Sequence, residues 1–264
     1  MQVNDPYVPG KSLHERVRRK WTALRSVAPL NGCPSEFILS VSFDDVPLSA
    51  ATRGADILAS HGMTGTFYSA TGLMGGASAS GQIAGPDDLR TLSSRGHEVA
   101  LHGHGHHDMT RMTPEAAIAD IRRNRDTLAQ ILGAAPCPHF AYPYGETTIG
   151  LKKRLLAEVP SARGIVPGSN RTGTDAMQLV AHDLRMDATR LAAARRGMTL
   201  AARTGGWVIL FTHDVAPEPS PYGVTPRTLD DLLGQATRLG ARLLPVGQAW
   251  TLVSRGPQEN GTAL

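Results

Sequence analysis

From residue 36 onward, short apolar runs alternate with amphipathic windows, and that alternation leaves few folds open to the chain. Runs rich in β-branched and aromatic residues fall at 37–43, 66–69, 98–101, 139–142, 164–166 and 207–211, with a shorter one at 242–244. Helical windows lie between them at 48–61, 86–95, 114–132, 147–158, 188–203 and 226–239. Some open on a clear start signal, Thr113-Pro114 and Thr225-Pro226, where threonine can cap the helix and proline fits its first turn. The repeated β-then-α order predicts an α/β protein with a parallel sheet. Six or seven repeats within residues 36–254 favour closure into a barrel, whose working groups would gather at the C-terminal ends of the strands.

Residues 1–35 stand apart as an N-terminal extension, followed by the main domain at 36–254 and a tail at 255–264. The extension carries a basic helix over 12–27. Leu13, Val17, Trp21 and Leu24 recur in it at helical spacing, which predicts that this face packs on the main body. Pro29 and the Asn31-Gly32 turn then end the helix. With 41% hydrophobic and 19% charged residues, the composition is that of a folded globular protein and excludes a disordered one. Its net charge of +4 is spread over clusters at 16–20, 122–125 and 195–196 without interleaved aromatics, so no nucleic-acid partner is expected. No run is long enough to span a bilayer and no apolar leader opens the chain, so a cytoplasmic location is expected. Cys33 and Cys137 each precede a proline and are expected as free thiols. Nothing in the pattern sets the oligomeric state.

Four polar clusters follow directly on predicted strands. Gly96 to Met109, GHEVALHGHGHHDM, places four histidines and an aspartate within seven positions. His102 and His106, four apart, suit a zinc site, because neutral imidazoles are preferred ligands and a catalytic zinc takes three protein ligands. Alone, such a cluster is equally the composition of a solvated turn. Ser42-Phe43-Asp44-Asp45 ends the first strand; one carboxylate can bind metal while the other takes a proton, although Asp-Asp pairs are also common in turns and caps. Together these residues would form an Asp-His-His site, with His104 and His107 as neighbours and Asp108 bracing the next turn. Phe140 to Gly145, FAYPYG, holds a Pro-Gly turn that could aim a backbone N–H at a developing oxyanion, with Pro143 shaping it and Tyr142 or Tyr144 walling the pocket. Leu210 to Asp214, LFTHD, puts His213 where it could protonate a leaving amine.

Taken in order, these motifs resemble the polysaccharide deacetylases of carbohydrate esterase family 4, the NodB-homology group. SFDD is similar to the family's T-F-D-D, and TGTFYSA to its A-T-F-F strand. GHEVALHGHGHHDM is similar to G-H-E-[IV]-x-x-H-[ST]-x-x-H-x-D-[LM] except at Gly103, and VILFTHD to I-L-x-H-D. The resemblance covers residues 36–253. It implies a distorted (β/α) barrel of about seven strands and a metal-dependent amide hydrolase acting on an N-acetylated carbohydrate, with Zn2+ the usual metal and Co2+ or Ni2+ as substitutes. It further implies Asp44 as general base, Asp45, His102 and His106 as metal ligands, His213 as general acid, and the Tyr144 N–H at the oxyanion. A small amide, imide or ureide is the alternative substrate, and a non-catalytic carbohydrate-binding protein the alternative outside enzymes. The chain departs from the family at Ala141, where many members carry an arginine that pairs with the base. Arg185 is the candidate replacement, and Asp183 or Asp187 the candidate for the family's fourth motif.

Overall fold

A computed structural model describes residue 10 and residues 12–254; the expected tail at 255–264 and the first nine residues of the extension lie outside the described residues. The main body opens on β1 (Phe37–Asp44), then a π-helical turn (Ala50–Gly54) running into α2 (Ala55–Ser60), preceded in the chain by α1 (Leu13–Leu24) of the extension. Next come β2 (Thr66–Ser69), a hairpin of β3 (Ala77–Ser78) and β4 (Gly81–Gln82), α3 (Pro86–Ser94) and β5 (Glu98–Leu101). α4 (Pro114–Leu132), β6 (Cys137–Ala141), α5 (Ile149–Leu155), β7 (Ala162–Arg163) and β8 (His182–Asp183) follow. The chain then forms α6 (Ala188–Thr204), β9 (Gly206–Thr212), α7 (Pro226–Arg238), β10 (Arg242–Leu243) and α8 (Val246–Val253).

Seven strands lie in the order β7-β6-β5-β2-β1-β9-β8, all paired in parallel, and β10 pairs with the start of β1. The curled sheet closes through a returning segment. Leu179 donates to Ala162 O (2.8 Å) and accepts from Gly164 N (2.9 Å), and three residues later β8 pairs with β9. The result is the expected distorted barrel. β1 and β9 are buried along their whole length, as central parallel strands covered on both faces must be, and therefore show apolar runs instead of alternation. Phe43 and Phe67 stack at 4.8 Å beneath the site.

The helical windows recover α3, α4, α6 and α7 to within a residue or two. The strand predicted at 164–166 lies at Ala162–Arg163 instead. β8 was not predicted, because two residues carry no periodicity, and α8 was missed because VGQAWTLV is too uniformly apolar to show a helical stripe.

The prediction for α1 is overturned. Its polar side faces the body: Arg18 donates to Glu146 Oε2 (2.7 Å) and Thr147 O (3.1 Å), Arg19 also pairs with Glu146, and Thr22 is buried. The fully buried Lys152 Nζ caps the helix end through Thr22 O (2.7 Å) and Arg25 O (2.6 Å), while pairing with Asp175 Oδ2 (2.9 Å). Leu13, Val17, Trp21 and Leu24 face outward, 76, 58, 52 and 71% exposed. Ion pairs and a helix cap hold this helix in place of apolar burial.

Candidate active site

β1 delivers Asp44 as its last residue, and the backbone then turns through two consecutive left-handed residues, Asp45 (φ 60°) and Val46 (φ 54°). A β-branched residue at positive φ is a strong outlier. His106 (φ 50°) and Tyr144 (φ 58°) complete the non-glycine residues with positive φ among the described residues. All four belong to the motifs singled out above or, for Val46, adjoin one. Strain of this kind persists where the surroundings fix it, typically at functional sites.

Asp45, His102 and His106 converge, each offering an atom within 4.8 Å of the others. His106 Nε2 lies 3.1 Å and His102 Nε2 3.6 Å from Asp45 Oδ1. The His102 Nδ1 sits 2.8 Å from Ala141 O, a contact that calls for the proton on Nδ1 and leaves an Nε2 lone pair facing Asp45. Burial pushes the His102 imidazolium down from 6.5 to about 4, opposed by the Asp44 charge, so the ring is neutral at pH 7. Asp45 Oδ1 is buried with no hydrogen-bond donor. Two imidazoles and an unsatisfied carboxylate oxygen are a donor set that fits a divalent cation. His104 stands beside the trio, bonded through Nδ1 to Thr71 Oγ1 (2.8 Å), His107 is exposed, and Asp108 caps the following turn at Thr110 N (2.9 Å).

Asp44 is held by Arg163, whose Nη2 bonds its Oδ1 while Nη1 bonds Gly164 O at 3.0 Å. Burial opposes ionisation of Asp44, but the Arg163 charge, then His102 and His213, outweigh it and hold the carboxyl below its ordinary range. The guanidinium is itself buried between the Phe211 ring (4.3 Å) and the Tyr68 ring (5.2 Å). Arg185 is therefore not the base partner expected from the sequence. It pairs with Asp183 Oδ2 (2.7 Å) and lies over the Tyr222 ring (4.6 Å), and Arg190 also bonds Asp183 (2.7 Å). Asp187 caps α6 through Arg190 N.

His213, just past β9, places Nε2 4.0 Å from Asp45 Oδ2, on the side away from the two histidines' shared oxygen. Its backbone N–H donates to Tyr222 O (3.2 Å), and its ring meets the Tyr222 ring at 5.5 Å. Asp214 fixes this loop by accepting from Ser220 N (2.8 Å) and Ser220 Oγ (2.5 Å). The Tyr144 ring packs on His106 at 4.6 Å, and Pro143 is buried at the turn. Tyr142 is not a pocket wall: it is buried in the core, and its hydroxyl donates to Met177 O (2.8 Å).

Three supporting residues were missed in the sequence. Arg163 was assigned to the residue before a strand. Asn124 is fully buried on α4; its Oδ1 accepts from His102 N (2.9 Å) and its Nδ2 donates to Ser69 O (2.9 Å) and Thr71 Oγ1 (3.1 Å). The signal was available, since Asn124 interrupts the buried stripe Ala117, Ile121, Leu128. Asp120, one turn earlier, accepts from His104 N (2.8 Å) and Gly105 N (3.0 Å), fixing the loop between the two metal-facing histidines.

Residues 31–158 match the family model described as polysaccharide deacetylase. A chitin deacetylase of Colletotrichum lindemuthianum is 24% identical over 223 residues, 83% of this chain and 82% of that protein. Among solved structures, a family 4 acetyl xylan esterase from Clostridium thermocellum, in complex with a cobalt ion, superposes with TM-score 0.57 at 24% identity, covering 81% of this chain and 91% of that one. The Xyl-CE4 domain of a multidomain xylanase from the hindgut metagenome of Trinervitermes trinervoides gives TM-score 0.58 at 18% identity, covering 82% and 91%. Motif order, barrel topology and the match over residues 31–158 together support a polysaccharide deacetylase family for this chain.

Proposed function

We propose that the protein is a divalent-metal-dependent deacetylase that removes N-acetyl groups from a polysaccharide or oligosaccharide. The observation that carries this reading is the convergence of Asp45, His102 and His106 beside an arginine-held Asp44 and a histidine on the opposite flank. Asp45, His102 and His106 would hold the metal, zinc by preference for two imidazoles and a carboxylate, with cobalt or nickel as substitutes. When bound, a divalent ion supplies Lewis-acid polarisation of an acyl oxygen and acidifies water.

Asp44, kept ionised by Arg163, is the base that takes the proton of the attacking water. Oxygen bonds to the acyl carbon, and the C–N bond then breaks. His213 gives its proton to the departing nitrogen, so the products are acetate and a free amine on the sugar. The Tyr144 turn offers its backbone N–H to the developing oxyanion. The chitin deacetylase relative supports an N-acetylated glycan as substrate.

Acetate release from N-acetylglucosamine oligomers, measured with chelator and after adding back zinc, cobalt or nickel, tests this. Chelator should abolish release and metal restore it. Hydrolysis of small amides or ureides with no release from any N-acetylated glycan would overturn the substrate, and release indifferent to chelator would overturn the metal.

A further inference from the structure

α1 is amphipathic in the reverse of the usual sense for a helix on a globular body. At about 100° per residue, Leu13, Val17, Trp21 and Leu24 share one narrow arc, and Arg18, Arg19 and Thr22 occupy the opposite side, bound to the body. The apolar arc is bordered by exposed cations, Arg16 and Lys20 on one flank and Arg25 just past the helix end with its guanidinium 4.3 Å over the Trp21 ring, while the polar His14 lies on the other flank. The acids nearby are engaged elsewhere. Glu15 is turned back onto Ser12 N (3.2 Å) and Ser12 Oγ (2.9 Å) in a capping box, and Glu146 is held by Arg18 and Arg19.

We propose that this face of α1 docks the protein, peripherally and reversibly, on an anionic lipid surface. An exposed apolar arc of leucine, valine and tryptophan with cations along its edges is the pattern of a helix lying in a membrane interface. Charge decides between this occupant and a second copy of the chain. Two copies meeting through the same arc would set Arg16 and Lys20 against their own kind with no exposed acid on the helix to receive them, whereas anionic headgroups meet both the arc and its cationic edges. Among the described residues no helix is long and apolar enough to cross a membrane, so the contact is superficial. The other side of α1 holds Glu146 and Thr147, immediately after the Tyr144–Gly145 turn, so docking brings that turn within about one helix diameter, roughly 10 Å, of the surface.

Co-sedimentation of the full chain with phosphatidylcholine vesicles, with and without phosphatidylglycerol, tests this independently of any enzymatic assay. Binding should require the anionic lipid and weaken as salt rises. Arg16→Glu with Lys20→Glu should weaken it about tenfold or more, and Val17→Glu with Leu24→Glu should abolish it. Unchanged circular dichroism and thermal melting of these surface variants distinguish lost docking from lost folding. Equal binding to neutral vesicles, or none to either, overturns the proposal. A concentration-dependent dimer in light scattering that Leu24→Glu dissolves also overturns it, in favour of a second copy.

Discussion

Arg163 supplies from β7 the charge that the family resemblance leads one to expect at position 141 on β6. Ala141 and Arg163 are register partners on β6 and β7, so in a parallel pair they point to the same face of the sheet about 5 Å apart. A guanidinium from either strand can reach the end of β1, and the small Ala141 and Ala100 leave it room beside Tyr68. The alanine at 141, where the resemblance leads one to expect an arginine, is legible in the sequence. The source of the charge is not, because register between two short strands cannot be read from one chain and the apolar run 164–166 displaced the strand past Arg163. Removing the cation raises the Asp44 pKa, so Arg163→Ala should carry the acid limb of the kcat/KM profile to higher pH, whereas Arg185→Ala should leave that limb where it is. Gly103 poses the complementary case. The family motif has serine or threonine there, but this residue has φ +75°, and a Cβ would stand 2.8 Å from Asp120 Oδ2. Gly103→Ser should cost about 1–2 kcal/mol in urea denaturation and, by displacing Asp120 from the His104 and Gly105 amides, weaken metal retention as well.

At the scale of the element, hydrophobic periodicity located most helices and failed on what they bind. α4 reads correctly from residue 114 to 132, yet its service to the site lies in two polar residues, Asp120 and Asn124, on its body side. Periodicity counts such residues as blemishes in a stripe. α1 was misjudged for the same reason, since a pattern of apolar spacing says where a stripe is and not which way it turns. The deciding group is Lys152, on another helix, with no mark in sequence to distinguish it from its neighbour Lys153. Its amine is buried among two helix-end carbonyls, Gln178 Oε1 (3.1 Å) and Asp175, so Lys152→Met should leave Asp175 an uncompensated buried charge and cost about 3–5 kcal/mol. Urea titration followed by Trp21 quenching should show α1 released before the barrel unfolds.

For the whole molecule, the alternation of strands and helices carried the barrel, and its closing segment at 179–183 was invisible because two-residue pairings leave no pattern. Stability over the barrel also has a pH signature. Burial, the largest cause in both cases, pushes His97 and His139 from 6.5 down to about 4; His97 Nδ1 accepts from Gly65 N (3.1 Å) and His139 Nδ1 meets Ser161 Oγ (2.7 Å). The unfolded chain therefore binds protons on these rings at higher pH than the folded one. Their contribution is fully present above 6.5 and is lost as pH falls from 6.5 toward 4. The urea midpoint should fall through that window, and His139→Gln should flatten the fall without removing it.

The metal-facing trio spans only residues 45 to 106, whereas β1 and β9 join partners about 170 residues apart and His213 arrives with β9. On a chain emerging from the ribosome, all three prospective ligands leave the tunnel long before the strand that completes one side of β1. The half of the site formed by Asp45, His102 and His106 can thus assemble on a nascent half-barrel, and His213 joins it only once β9 has emerged.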